Sequence, residues 1–405
     1  MALKGNLLVG QSGGPTAVIN ASLAGLIEEA KNHEEIEAIY GMEHGVEGLL
    51  LEEIVDLGSE SDETISLLPK TPSAALGSCR KKLGEDDYER LLTILKAHNI
   101  RYLFYIGGND SADTSHRIGA LADEAGWQMR VVGIPKTVDN DLAYTDHCPG
   151  YGSVARFNAL ATRDAGLDTR ALYSVDTVKI IETMGRNAGW ITAATALARE
   201  QADDPPHLIY LPERTFDRER FLADVKREVE KGQGCVIAVC EGLRDESGQP
   251  LVSFKHAVGT DSFGHKQLGG VGDYLVNLIA EELRIKARFD KAGTIQRSSG
   301  IAQSATDVAE AKMLGAAAVQ RACESVTDQM VTLQRVSQKP YRCETALAPL
   351  ADVANAERPV PDEFINEQGN YVTPAFLDYA RPLIGGPLPA YARLKMSRVP
   401  KQTAS

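Results

Sequence analysis

Short hydrophobic runs and longer amphipathic stretches alternate along the chain from its first residues. Leu7–Gly10 reads as a buried strand, followed by a Gly-rich turn and a helix over Ala17–Lys31. A strand over 101–106 ends at paired glycines, with Ser111 placed to cap the helix after it. Further strands are predicted at 130–134, Thr177–Glu182, 207–211, Cys235–Val239 and near 292–296. A polar loop covers 135–152, and helices are predicted at 153–165, 187–200, 217–231, 272–286 and 306–325. Such alternation means mostly parallel sheet with helices on both faces. The expected fold class is α/β, as two Rossmann-like α/β/α sandwich lobes. The expected division is an N-terminal lobe at 1–140, open to re-entry by a later segment, and a C-terminal lobe at 141–340. A Pro-rich extension follows at 341–405, read as a tail wrapped on the surface or an oligomer contact.

Composition narrows the function. The 405 residues exceed what one core usually holds, which fits two lobes. The net charge of -13 argues against nucleic acid and acidic membranes as general partners, so an anionic substrate needs a local basic pocket. Cys79, Cys148, Cys235, Cys240, Cys323 and Cys343 form no C-x-x-C pair, which fits a reducing compartment. No charged leader with an apolar core opens the sequence, and no apolar run nears a membrane span; a soluble, cytoplasmic protein is expected.

The unusual residues collect at strand ends, where open α/β sheets bind ligands. Gly10-Gln11-Ser12-Gly13-Gly14-Pro15-Thr16 stands between a strand and a helix, as an anion cradle does, but it is neither a dinucleotide fingerprint nor a Walker A loop. A plain tight turn explains it equally. Gly107-Gly108-Asn109-Asp110-Ser111 has the same context plus a carboxylate, which suits Mg²⁺ or simply the positive end of a helix. Pro135-Lys136-Thr137-Val138-Asp139-Asn140-Asp141 carries the sharpest signal. Asp139 is placed as a general base for a sugar hydroxyl and Asp141 as its partner. Two carboxylates so close push one pKa upward, and Lys136 offsets charge on a moving phosphoryl group. An Asx-rich turn is the plainer alternative. Arg80, after Leu76-Gly77-Ser78, is a better phosphate ligand than Lys81 or Lys82, which read as solvated. Met184-Gly185-Arg186, Glu241 and Arg297 are further strand-end residues suited to a sugar phosphate. No H-x-x-x-H pair points to zinc.

In this order and spacing, from residue 5 to about 340, these motifs resemble the phosphofructokinases. Gly13-Gly14 with Asn20 is similar to the family's first phosphate loop, and Leu76-Gly77-Ser78 with Arg80 to its donor-phosphate arginine motif. Gly107–Ser111 stands in the place of G-G-D-G-S, Thr137–Asp141 in that of T-I-D-N-D, and Met184-Gly185-Arg186, Glu241 and Arg297 match sugar-phosphate contacts. The resemblance implies the phosphofructokinase fold and a homodimer or homotetramer. It also implies transfer of a phosphoryl group to fructose 6-phosphate with Mg²⁺.

The departures from the family pattern point to the donor. ATP-dependent members have glycine where this chain has Asp110 and Lys136. In the diphosphate-dependent branch, the acid is taken to fill the place of the ATP α-phosphate and the lysine to stabilise transfer from diphosphate. The expected diphosphate site is therefore Gly13, Gly14, Arg80, Gly108 and Lys136. Thr137, Val138, Asp139, Met184, Gly185, Arg186, Glu241 and Arg297 are expected at the sugar phosphate. Asn109 replaces the family's usual metal-binding aspartate, so Asp110 and Asn109 share the metal assignment. The family's second arginine is missing from Ser298-Ser299-Gly300-Ile301-Ala302-Gln303, and Lys231-Gly232-Gln233-Gly234 lacks the basic character of allosteric bacterial members, so a non-allosteric enzyme is expected. An ATP-dependent enzyme and a non-catalytic sugar-phosphate-binding paralogue are the alternatives; the intact Lys136, Asp139 and Asp141 speak against the second.

Overall fold

In a computed structural model, residues 3–252, 270–354 and 356–402 are described. Among them, two sheets stand side by side, each sandwiched by helices. The first contains β1 (Gly5–Gln11), β2 (Ile36–Met42), β3 (Ile54–Asp56), β4 (Ile100–Gly107) and β5 (Arg130–Pro135). The second contains β6 (Val178–Thr183), β7 (Leu208–Tyr210), β8 (Cys235–Cys240) and β9 (Ala287–Lys291). The chain then returns to the first sheet with β10 (Gln329–Gln338) and β11 (Tyr341–Pro349), giving the orders β11-β10-β5-β4-β1-β2-β3 and β7-β8-β6-β9. The second sheet is parallel throughout; in the first, β3 and β11 run antiparallel at the two edges.

The unbroken apolar runs of β1 and β4 follow from burial on both faces. Leu7, Val9, Tyr102, Phe104 and Ile106 point to one core, while Leu8, Leu103 and Tyr105 point to the other. The helix Ile19–Ala30 covers the first face and Asn109–Glu124 the second, so β1 and β4 form the switch point where a crevice opens at their C-terminal ends.

The differences from the sequence expectation have local causes. The strand expected near 292–296 is β9, five residues earlier; it is an edge strand whose Arg288, Phe289, Asp290 and Lys291 are exposed, so it lacks an apolar signature. Ser111 does not cap its helix, because Gly108 occupies that position and the helix begins at Asn109. The helix expected at 187–200 is one turn over Trp190–Ala194 followed by a 3₁₀ turn, Thr195–Ala198. The segment 329–349, divided in the sequence reading between the second lobe and the extension, lies in the first sheet. Nor does the chain after 349 only wrap the surface. Val360, Phe376, Leu383 and Ile384 are buried in the second lobe's core beside Trp190, whereas 389–402 is exposed.

The helices Ile19–Ala30 and Ala305–Cys323 cross at two glycines. A side chain on Gly25 would overlap Lys312 O, and one on Gly315 would overlap Ser22 O. Gly315→Ala is therefore expected to lower stability by roughly 1–3 kcal/mol or more, read as a lower urea midpoint; an unchanged midpoint would mean that the helices part without cost.

Candidate active site

The parallel strands aim one group of loops at a single cleft of about 270 Å³. Ser12–Gly14 follow β1, Gly108–Ser111 follow β4 and Lys136–Asp141 follow β5; Met184–Ala188 follow β6 and Glu241 follows β8. Arg80 and Arg297 complete the lining, so the residues expected at the diphosphate, the sugar phosphate and the metal all meet here, whereas Asn20 lies behind the loop, bonded to Gln11 and Thr71 O. Lys81 instead faces Asp87 at 3.7 Å, and Lys82 is exposed.

Three cations crowd the first phosphate loop. Lys136 is 3% exposed, and its Nζ donates to Gly14 O at 2.9 Å. Gly13 has φ 75°, in the left-handed region, and a side-chain carbon there would sit 3.1 Å from Lys136 Nζ. One on Gly14 would come 2.9 Å from Arg297 Nη1 and 3.6 Å from Arg80 Nη2. A side chain at either glycine would displace the cation ends that converge there. Burial first, then Arg297 and Arg80, pull the Lys136 ammonium down to about 7. Arg297 is lowered too, by burial and by Arg80, and its buried Nε lacks a hydrogen-bond partner. Such a group is suited to an anion with several phosphoryl oxygens.

The carboxylates face these cations. The Asp139 amide donates to Thr137 Oγ1 at 3.1 Å, folding the loop so that Asp139 and Asp141 both line the cleft. Burial and then Glu241 raise Asp139, while burial and then Asp139 raise Asp141. Both carboxyls therefore hold their protons above the usual carboxylate range, where the sequence predicted that one would. The pair titrates as a unit.

Across the cleft, Gly185 adopts φ 137°, and its amide donates to Glu241 Oε1 at 3.3 Å. A side chain there would press on Ala188 O. Behind Glu241, the buried Glu182 accepts from Lys291 Nζ at 2.7 Å and Gly272 N at 2.8 Å. Gln296, before Arg297, accepts through Oε1 from Met184 N and Asn158 Nδ2, both at 3.3 Å, and so ties the arginine's short helix to the loop after β6.

Several site residues escaped the sequence reading. Glu357 lines the cleft and accepts from Asn187 Nδ2 at 3.2 Å. Arg358 binds the loop after Asp139 from behind. Neither lies at a strand end or in a Gly-rich turn, so no local signal marked them. Arg156, Arg163 and Arg170, on the helix that follows the 135–150 loop, bind groups of their own chain: Arg156 donates to Ile384 O, Arg163 to Glu200 and Arg170 to Asp203 O.

For a metal, the cleft offers hard oxygens. Asn109 Nδ2 donates to Ala356 O at 3.1 Å, which leaves Asn109 Oδ1 buried without a partner, next to the exposed Asp110. Among the described residues, the three-ligand clusters are His33–Glu35–Cys323 and Asp146–His147–Cys343, neither of which lines the cleft. An ion here would draw on few side chains, as Mg²⁺ does when water and phosphate oxygens fill its octahedron.

Comparison with known proteins agrees with the geometry. The phosphofructokinase family model matches residues 6–322. The "Pyrophosphate--fructose 6-phosphate 1-phosphotransferase" of Halomonas elongata is 42% identical, over 98% of both chains. The "Sulfofructose kinase" of Alkalicoccus urumqiensis is 34% identical, over 90% of this chain and 92% of its own. A crystal structure of pyrophosphate-dependent phosphofructokinase from Marinobacter aquaeolei superposes with a TM-score of 0.86 at 40% identity, covering 99% of this chain and 98% of that one.

The site's electrostatics set a pH profile for stability. Asp139 and Asp141, raised from 3.8 to about 6 and about 7, bind more protons in the folded than in the unfolded chain, so their contribution falls as pH rises through that window. Lys136, lowered from 10.5 to about 7, binds fewer, so its contribution rises with pH from about 7 to 10.5. The ligand-free cleft is thus least favourable near neutrality. Lys136→Met is expected to stabilise the ligand-free protein at pH 7 by about 2–4 kcal/mol, allowing for the lost bond to Gly14 O. It should also flatten the alkaline rise in Tm measured by calorimetry; a lower Tm at pH 7 would contradict the crowding of cations.

Proposed function

The chain belongs to the phosphofructokinase family, and we propose on that premise that it transfers a phosphoryl group from diphosphate to the 1-hydroxyl of fructose 6-phosphate. The products are fructose 1,6-bisphosphate and phosphate, and the step is reversible, as part of glycolysis and gluconeogenesis. The observation that carries this reading is the meeting of Lys136, Arg80 and Arg297 at Gly13–Gly14, opposite the raised carboxylates Asp139 and Asp141.

Diphosphate lies against Gly13, Gly14 and Gly108, with Arg80 and Lys136 spreading its charge. The sugar phosphate lies along Thr137, Val138, Met184-Gly185-Arg186, Glu241 and Arg297. The first lobe thus holds the donor and the second the acceptor. Asp139 accepts the proton of the 1-hydroxyl as that oxygen attacks the nearer phosphorus. The bridging P–O bond breaks and its electron pair leaves with phosphate. Burial and Glu241 raise the pKa of Asp139, which makes its carboxylate a better proton acceptor than an ordinary one. Asp141, the neighbouring acid, shares in that titration. Lys136 stabilises charge on the transferred group, and a bound phosphate restores the ammonium that burial disfavours. Asp110 and Asn109 Oδ1 are the donors for Mg²⁺, which when bound neutralises diphosphate oxygens. Asp110 also sets the donor: it stands exposed at the cleft, where a carboxylate repels a further phosphate of a nucleotide.

The lone cation of the 231–234 loop, Lys231, pairs with Glu228 at 2.5 Å, which supports an enzyme without a nucleotide effector there. We read the enzyme as a cytoplasmic homodimer or homotetramer. All six cysteines are free, and among the described residues no helix is long and apolar enough to cross a membrane.

The deciding assay supplies fructose 6-phosphate with either diphosphate or ATP, and runs the reaction in both directions. Turnover with diphosphate and little with ATP is expected; the reverse would end this reading. Asp139→Asn should lower kcat by about 10²–10⁴-fold, and a retained kcat would point to the non-catalytic paralogue. Asp110→Gly should admit ATP, seen as a lower inhibition constant for ATP against diphosphate; no change would remove Asp110 from donor choice.

A further inference from the structure

Asn140 separates the two reactive carboxylates, is fully buried and adopts φ 56°, in the left-handed region. Its conformation decides where Asp139 and Asp141 point. The side chain is tied at both ends. Oδ1 accepts from Cys148 N at 2.9 Å, and Nδ2 donates to the Tyr379 hydroxyl at 3.0 Å, which itself donates to Asp146 O at 2.8 Å.

The backbone is held from farther along the chain. Arg358 Nη2 donates to Asn140 O at 3.0 Å, while its Nη1 donates to Thr145 O at 2.8 Å and Asp146 O at 2.6 Å. The Arg358 amide donates to Asp141 O at 2.7 Å. The guanidinium carbon lies 4.7 Å over the Trp190 ring, whose Nε1 donates to Arg358 O at 2.9 Å. A planar, rigid fork can reach carbonyls on both sides of a loop at once, which a single ammonium does less well. Arg358 does not itself line the cleft.

We propose that Arg358 is a positioning residue for phosphoryl transfer. It fixes the backbone of 140–146 so that Asp139 meets the acceptor hydroxyl, and it touches neither substrate. This gives the segment after the last strand of the first sheet a part in the chemistry. The role rests on the assignment of Asp139 as proton acceptor, and misplacing a reacting group by about 1 Å costs on the order of 10²-fold in rate.

The test uses the full chain with Arg358→Ala and Arg358→Lys, measuring diphosphate-dependent kcat and KM for both substrates. Hydrogen exchange of the segment 137–150 is followed alongside, with 100–107 as internal reference. Arg358→Ala is expected to lose about 10²-fold in kcat with each KM changed less than about threefold, because ground-state binding is untouched. Arg358→Lys should recover only part of the loss, because one ammonium cannot hold the carbonyls on both sides of the loop. Exchange in 137–150 should quicken in the alanine variant while 100–107 stays protected. If the wild type turns over and the alanine variant keeps its kcat, or exchange in 137–150 does not change, the proposal fails. A wild type without diphosphate activity, with exchange in 137–150 still quickened by the alanine change, would sink the functional reading and leave the loop-holding role standing. If the alanine variant does not fold, the lysine variant decides: lower kcat at unchanged Tm supports positioning, and wild-type kcat overturns it.

Discussion

Gathering positive charge out of water is the constraint on which the rest of this molecule depends. Lys136 is buried at the end of a central strand, and two guanidiniums crowd the same glycine loop. Such a group is unfavourable alone and becomes favourable only around a polyanion. Gly13 suits its left-handed backbone, and a side chain at either glycine would push the cations aside. The strand ends are required because only a scaffold packed on both faces can hold like charges together. The carboxylates opposite gain from the same confinement, which keeps their proton affinity high enough to be useful.

How far the sequence disclosed this follows from how each part is built. The motifs at 12–14, 107–111 and 136–141 were legible because each is contiguous and follows an apolar run whose end in a parallel sheet must face the ligand. The raised proton affinity of the acids was legible in kind, since two acids two residues apart cannot ionise independently. Its cause was legible only in part: burial ranks first for both, and Glu241, from another strand, acts on Asp139. Glu182 and Lys291 stayed hidden because they support Glu241 across the sheet rather than along the chain. β9 was misplaced because an edge strand has exposed positions and little apolar pattern.

The region past residue 340 was the least legible. Its prolines read as a surface tail, yet it provides an edge strand, an aromatic cluster around Trp190 and the contacts behind the loop of Asp139 and Asp141. Proline marks where regular structure stops and carries no information about burial. What matters there is long-range: Arg358 meets Asn140 at a separation of 218 residues, which no local pattern encodes.

The return of β10 and β11 to the first sheet has a consequence for the order of assembly. Until residues 329–349 have been synthesised, β5 has no neighbour beyond it and the first sheet ends at the very strand that leads into Lys136. The first lobe, although it begins at the N-terminus, therefore cannot be finished before most of the second lobe has left the ribosome. A chain interrupted anywhere before that point carries an open strand edge beside the loop of Lys136, Asp139 and Asp141. Completion of the first sheet is thereby tied to synthesis of the second lobe.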